Sequence, residues 1–139
     1  MSTDKLSASQ IDRIHSILNT VPFAKLLGIE LEELRPGRAT LGLDITTELK
    51  QNNGVVHGGA IASLIDTATA FAIIALLPEG EQATTVDLTI SYLRPLTAGR
   101  ARANARVVRA GRRIIVAAAE LVDDTGTLAA TALTTYIKL

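Results

Sequence analysis

The chain has 139 residues, 47% of them hydrophobic and 20% charged, and its fourteen Lys and Arg are balanced by fourteen Asp and Glu. That composition suits one globular domain; it excludes a disordered or fibrous chain and supplies no global field to attract DNA, a membrane surface or an acidic partner. With no cysteine, a disulfide framework, a zinc–thiolate site and a cysteine nucleophile are excluded as well.

The first twenty residues carry Asp4, Lys5, Asp12 and Arg13 without an apolar run, so no signal peptide is expected and the cytoplasm is the expected compartment. Ser7 and Gln10 have capping-box spacing, and Ile11, Ile14 and Leu18 follow at helical intervals, which predicts a short amphipathic surface helix over 8–19. Pro22 fits the first position of a second, brief helical turn that Gly28 would end. From Ile29 the period changes. Ile29, Leu31, Leu41, Leu43 and Ile45 alternate with polar neighbours on either side of Arg35-Pro36-Gly37-Arg38, which reads as a hairpin.

Residues 54–77 hold a single carboxylate, Asp66, and no Lys or Arg. A membrane span is rejected: the run opens on glycines and a histidine, and a central Asp would cost several kcal/mol in lipid. The run instead predicts one long buried helix over 59–77. Gly59, Ser63, Asp66, Thr67 and Ala70 share one side of it; Ile61, Leu64, Ile65, Ala68, Ala72 and Leu76 cover the other. After Pro78-Glu79-Gly80, four strands are predicted over 82–94, 99–110, 112–123 and 126–138. Arg100, Arg102, Asn104 and Arg106 face one way while Ala101, Ala103, Ala105 and Val107 face the other. Ala117, Ala119, Ala130 and Ala132 keep the apolar faces small, so a helix can approach the sheet closely. The element order predicts an α+β fold, with a curved antiparallel sheet of about six strands wrapped around one long central helix. Residues 1–27 form a helical segment packed on the domain of residues 28–139.

The densest chemical signal is Gln51-Asn52-Asn53-Gly54-Val55-Val56-His57-Gly58-Gly59 running into the helix, with Asp66 nine residues after His57. Gly58 and Gly59 would expose backbone N–H groups at a helix N-terminus, where the dipole favours an anion or a developing oxyanion. Asp66 lies about two turns further along, in a site poor in counter-charges, where desolvation suits a carboxylate to act as a general base. These parts are compatible with acyl transfer. A plain loop entering a helix, and a buried carboxylate that fixes a subunit contact, remain the competing structural readings.

The stretches GVVHGGAIASLIDTA and TTVDLTISYLRPLTAG, with the element order, resemble the PaaI-like acyl-CoA thioesterases of the hotdog fold, from about Gly28 to the C-terminus. The resemblance implies a homodimer or dimer of dimers with thioester sites between subunits. It implies Asp66 as the catalytic carboxylate, either activating water or attacking the thioester directly, Gly58 N–H as the group polarising the carbonyl, Gln51 as its helper, His57 as a shaper of the loop, and Thr85 as holder of the attacking water. Gln51, His57 and Gly58 would come from one subunit, Asp66 and Thr85 from its partner. Family members pair Asn with Asp or Gln with Glu, whereas this chain has Gln51 with Asp66, which leaves Asn52 and Asn53 as alternative amides. Asn53, Gly59, Ser63, Thr67 and Ala70 are expected to line the substrate, and Asp87 to be a strand or interface residue.

Arg94, Arg100, Arg102, Arg106, Arg109, Arg112 and Arg113 fall within twenty residues that contain no acid. The alternation of Arg100, Arg102 and Arg106 suits a solvated outer face. The turn bearing Arg109, Arg112 and Arg113 is the candidate for the phosphates of coenzyme A, because guanidinium forks bind phosphate bidentately. Aromatics at 3% argue against nucleic acid, and the two histidines, His15 and His57, give little support to a metal site. The expected activity is hydrolysis of an aryl-, phenylacetyl- or medium-chain acyl-CoA, with no metal or redox cofactor, coenzyme A being part of the substrate. The alternatives are an acyl-CoA-binding module without turnover and a hydratase or dehydratase on the same fold; the proline-rich loop and Asp-x-Asn-Pro run associated with the latter are missing.

Overall fold

The computed structural model describes residues 5–139; residues 1–4, the start of the expected N-terminal segment, lie outside the described residues. Helix α1 spans Ala8–Asn19 behind a complete capping box: Gln10 N–H donates to Ser7 Oγ at 3.2 Å, and Ser7 N–H donates to Gln10 Oε1 at 2.7 Å. Its apolar stripe is not left at the surface, because Ile14 and Leu18 are buried against the domain. Helix α2, Pro22–Leu27, begins on its proline and ends where Gly28 adopts φ 76°, a left-handed conformation that a side chain would strain.

Strands β1 (Glu30–Arg35) and β2 (Arg38–Asp44) form the expected hairpin. The long helix α3 spans Gly58–Ile74, and strands β3 (Ala83–Tyr92), β4 (Arg100–Ala110), β5 (Ile114–Val122) and β6 (Leu128–Lys138) follow. All pairings are antiparallel, in the order β1-β2-β4-β5-β6-β3, so β1 and β3 are the sheet edges. One face of this sheet packs on α3, chiefly through β2, β4 and β5. The alanines make that approach possible. Ala101, Ala103, Ala105, Ala119 and Ala130 are buried in one core with Leu64, Ile65 and Ala68 of the helix, and Ala117 is buried with Ile73 and Tyr136. Among the described residues, no helix is long and apolar enough to cross a membrane.

Two expectations for α3 need correcting. The helix starts at Gly58 and stops at Ile74, three residues short of the expected end. Leu76 and Leu77 both donate their N–H to the Ile73 carbonyl at 2.9 Å in a closing turn, and Pro78 disfavours helical backbone at the residue before it. Leu76 is therefore 41% exposed rather than part of the buried face.

The outer face of the sheet carries the arginines as expected, but two of them are not simply solvated. Arg100 pairs with Glu30, Glu32 and Asp44 at 2.7–3.0 Å, and Arg102 with Glu32 at 2.7 Å. Burial works to raise the Glu32 carboxyl and is outweighed by the hydrogen bonds from Arg102 and Arg100, which hold it below the usual carboxylate range. For Arg100, burial is likewise outweighed by its carboxylate partners, so its guanidinium stays charged. These contacts tie β1 and β2 to the start of β4. They also compensate two of the seven charges in the run.

Candidate active site

The loop ahead of α3 is held in place by its own backbone. Gln51 N–H donates to the Val55 carbonyl at 2.7 Å, Val56 N–H to Leu96 and His57 N–H to Leu49 at 2.8 Å, and Gly54 turns the chain at φ 83°. His57 is the N-cap of α3, with Nδ1 accepting from Gly59 N–H at 2.8 Å. This corrects one expectation. The Gly59 N–H is engaged by the histidine and is not exposed to an anion, which leaves Gly58 N–H as the first free donor of the helix. Tyr92, at the end of β3, donates its hydroxyl to the Gly58 carbonyl at 3.1 Å, and its ring lies 3.3 Å from where a Cβ on Gly58 would sit. Gln51, Gly58, Tyr92, Arg94 and Leu96 share a cavity of about 300 Å³. Asn53 accepts the Val55 N–H at 3.3 Å within the loop, and both it and Asn52 are exposed.

Asp66 belongs to a second, separate cluster. Thr85 on β3 donates its hydroxyl to Asp66 Oδ1 at 2.8 Å, and the Tyr136 hydroxyl lies 3.1 Å from the same oxygen. A β-bulge follows directly: pairing with β6 shifts between Thr85 and Asp87, leaving Val86 as the extra residue. Tyr136 Oη also lies 2.9 Å from the Asp66 carbonyl and 2.9 Å from Thr69 Oγ1, whose proton reaches the same carbonyl at 3.1 Å. Oδ2 of Asp66 has no protein partner among the described residues. Since no buried side-chain polar atom among the described residues is left unpaired, that oxygen is reached by solvent. The geometry thus gives a carboxylate with one oxygen anchored by two hydroxyls and the other free to accept a proton.

Tyr136 and Thr69 were not singled out from the sequence. The available signal was Tyr136's phase with Thr134 and Ala132 on β6, a rare large side chain with a polar tip on a face of small residues. Its phenol is pushed up to about 12 from the ordinary value near 10, mainly by burial and secondarily by the Asp66 charge, while hydrogen bonds with Thr69 and Thr85 act the other way. The folded protein therefore holds this proton more tightly than the unfolded chain does. That contribution to stability is complete below pH 10 and is lost as pH rises through about 12. Urea midpoints measured across this interval should fall more steeply for the wild type than for Tyr136→Phe; parallel curves would remove the phenol from the alkaline transition.

Ser63 and Thr67 donate their hydroxyls to the carbonyls of Gly59 and Ser63, each at 2.7 Å, and so present small surfaces rather than free donors. Ala70 lines a separate apolar groove beside Tyr136. Asp87 is exposed and accepts from Thr89 at 3.3 Å on the same strand. Arg109, Arg112 and Arg113 lie at the β4–β5 turn, on the end of the sheet where Ile115 pairs with Tyr136. They form no ion pair among the described residues, nor do Arg94 and Arg106.

The two clusters do not meet within one chain. Asp66 follows Gly58 by eight positions along the helix, about 12 Å at 1.5 Å per residue, whereas groups serving one carbonyl must each lie within hydrogen-bond reach of it.

Residues 53–130 match the thioesterase superfamily. The chain is 30% identical over 132 residues to the medium/long-chain acyl-CoA thioesterase YigI of Salmonella typhimurium, covering 84% of this chain and 85% of that protein. The PaaI protein of the Escherichia coli phenylacetic acid degradation operon superposes with a TM-score of 0.88 at 26% identity, over 97% of this chain and 96% of that one. A variant of the phenylacetic acid degradation protein PaaI from Thermus thermophilus gives a TM-score of 0.79 at 32% identity, over 86% of this chain and 100% of that one.

Proposed function

The chain belongs to the thioesterase superfamily as a PaaI-like member with the hotdog fold, and from that premise we propose that it hydrolyses an acyl-coenzyme A at a site shared between two subunits. The observation that carries this reading is the Asp66 carboxylate, anchored through Oδ1 by Thr85 and Tyr136 and open at Oδ2. Oδ2 takes a proton from water as the water oxygen attacks the thioester carbonyl. The tetrahedral oxyanion is stabilised at Gly58 N–H, with the Gln51 amide beside it; its collapse breaks the carbon–sulfur bond, and the coenzyme A thiolate takes the proton held on Oδ2, restoring the Asp66 carboxylate. The products are a carboxylic acid and coenzyme A, and no metal or redox cofactor takes part. Asn53 spends its side-chain oxygen on its own loop, which supports Gln51 as the helper.

Strand β3 supports the two-subunit arrangement. It is a sheet edge, it holds Asp66 at Thr85 and Gly58 at Tyr92, and Val86 is 61% exposed along it. Antiparallel self-pairing of β3 about its middle brings the Thr85 end of one copy against the Tyr92 end of the other. Each carboxylate then faces the partner's Gly58 N–H, and the symmetry makes two sites. The guanidinium groups of Arg109, Arg112 and Arg113, which form no ion pair among the described residues, suit the coenzyme A phosphates.

Free-thiol release from phenylacetyl-, benzoyl-, short-chain and medium-chain acyl-CoAs tests the reaction. Turnover of at least one of them is expected. Tight binding of these compounds with no thiol released from any would replace hydrolysis by a binding role.

A further inference from the structure

Tyr136 of the second cluster also lines an apolar groove of about 420 Å³ that the chemistry above does not use. The Tyr136 hydroxyl lies 3.1 Å from Asp66 Oδ1. The groove's floor is α3 and the residues just beyond it, through Ala70, Ile74 and Leu77, on the side of the helix one turn past Asp66. Helix α1 contributes Arg13 and Ile17, and the segment after α3 contributes Gly80, Glu81 and Gln82. From Asp66 to Ile74 the helix rises about 12 Å, roughly the length of a ten-carbon acyl chain at carbon–carbon bond spacings. A volume of this size lies within the range of small-molecule pockets.

We propose that this groove receives the acyl chain of the thioester, and that Ile17 on α1 sets the longest chain it accepts. The inference rests on the thioesterase reading and goes beyond it by naming the occupant and the residue that limits it. Two features favour an acyl chain over the pantetheine arm. The lining is mostly aliphatic, with Arg13, Glu81 and Gln82 as its charged or amide members, and it includes Tyr136, the residue that orients the carboxylate. The N-terminal helix therefore does more than cover the core. Its capping box and the burial of Ile14 and Leu18 fix the helix against the domain, so the half-buried Ile17 projects into the groove from a rigid wall.

The test compares wild type, Ile17→Trp and Ile17→Ala on a series of saturated acyl-CoAs from two to sixteen carbons, reading kcat/KM by thiol release and Kd by calorimetry. In the wild type, affinity should rise about fourfold for each methylene that enters the groove. Ile17→Trp should leave the shortest substrates unchanged and lose tenfold or more for chains long enough to reach α1, whereas Ile17→Ala should move the optimum to longer chains. A uniform effect across all lengths, or none, overturns the proposal. An equal loss of affinity for free coenzyme A with Ile17→Trp also overturns it, because the groove would then hold the pantetheine arm. Should the wild type cleave none of the series, the hydrolysis reading fails by itself. The length dependence of Kd in the same variants still decides the groove: a break at Ile17 supports it, and an unbroken slope overturns it.

Discussion

Replacing Asp66 with Asn should lower kcat by about 100-fold or more on any acyl-CoA the protein cleaves, the scale of a lost general base, while leaving KM and the fold nearly unchanged. Asn keeps an oxygen at Oδ1, so Thr85 and Tyr136 retain their acceptor. What is lost is the proton-accepting oxygen at Oδ2. A companion substitution probes the other half of the site. Gly58→Pro deletes the one N–H proposed for the oxyanion at the first helical position, where the backbone suits proline, and His57 at φ −64° and ψ 135° is compatible with a following proline; the added ring carbons displace Tyr92, whose ring lies 3.3 Å from the new Cβ, so Tyr92→Phe is the control for that shift. Its expected cost is about 100- to 1,000-fold in kcat. If the two clusters serve one thioester across the subunit boundary, mixing the two inactive variants after unfolding should restore activity. Random reassociation leaves one intact site in each mixed dimer, hence about a quarter of the wild-type rate. Failure to recover any activity from well-folded mixed dimers would place the whole site in one chain, against the separation of about 12 Å along α3.

Leu64→Ala should be the most damaging single truncation of those compared here for stability, costing about 3 kcal/mol and lowering Tm by on the order of 10 °C. Leu64 is fully buried on the face of α3 that meets β2, β4 and β5. The opposing surface is alanine, whose methyl groups have no rotamers with which to fill the space a leucine leaves. The cavity therefore persists, which places the cost above simple transfer of the lost carbons. Leu76→Ala is the control from the same segment. At 41% exposure, beyond the end of α3, it should change stability by less than about 0.5 kcal/mol. Urea midpoints at constant m-value check both; equal losses at the two positions would contradict the burial of α3.

The contrast between those leucines shows where sequence reasoning stops. Periodicity alone cannot tell the last turn of a buried helix from an apolar turn that follows it, because Leu76 and Leu77 continue the same greasy run. Pro78 and the donation of both N–H groups to Ile73 end the helix. Capping at Ser7, the stop at Gly28, the hairpin at Arg35–Arg38 and the four C-terminal strands were legible because each rests on local rules of backbone geometry. The site was legible unevenly. Asp66 stands out as a lone charge in an apolar run, and Gly58 as a glycine at a helix start. The loss of Gly59 N–H to His57 depends on one imidazole rotamer, and the pairing of Arg100 with Glu30, Glu32 and Asp44 on registers between three strands.

By itself, the sequence determined the element order, the faces of α3 and the sheet, and the residues able to carry acyl-transfer chemistry, because alternation, helical period and caps act over a few neighbouring residues. Only the tertiary structure decided that Tyr136, seventy residues from Asp66, anchors its carboxylate together with Thr85, while Thr69 holds the Tyr136 hydroxyl and the Asp66 carbonyl. It alone separated Gly58 from Asp66 along one rigid helix and placed β3, which grips both, at an open edge. Those are contacts between distant segments, set by how alanines let a helix settle on a sheet, and no local pattern encodes them.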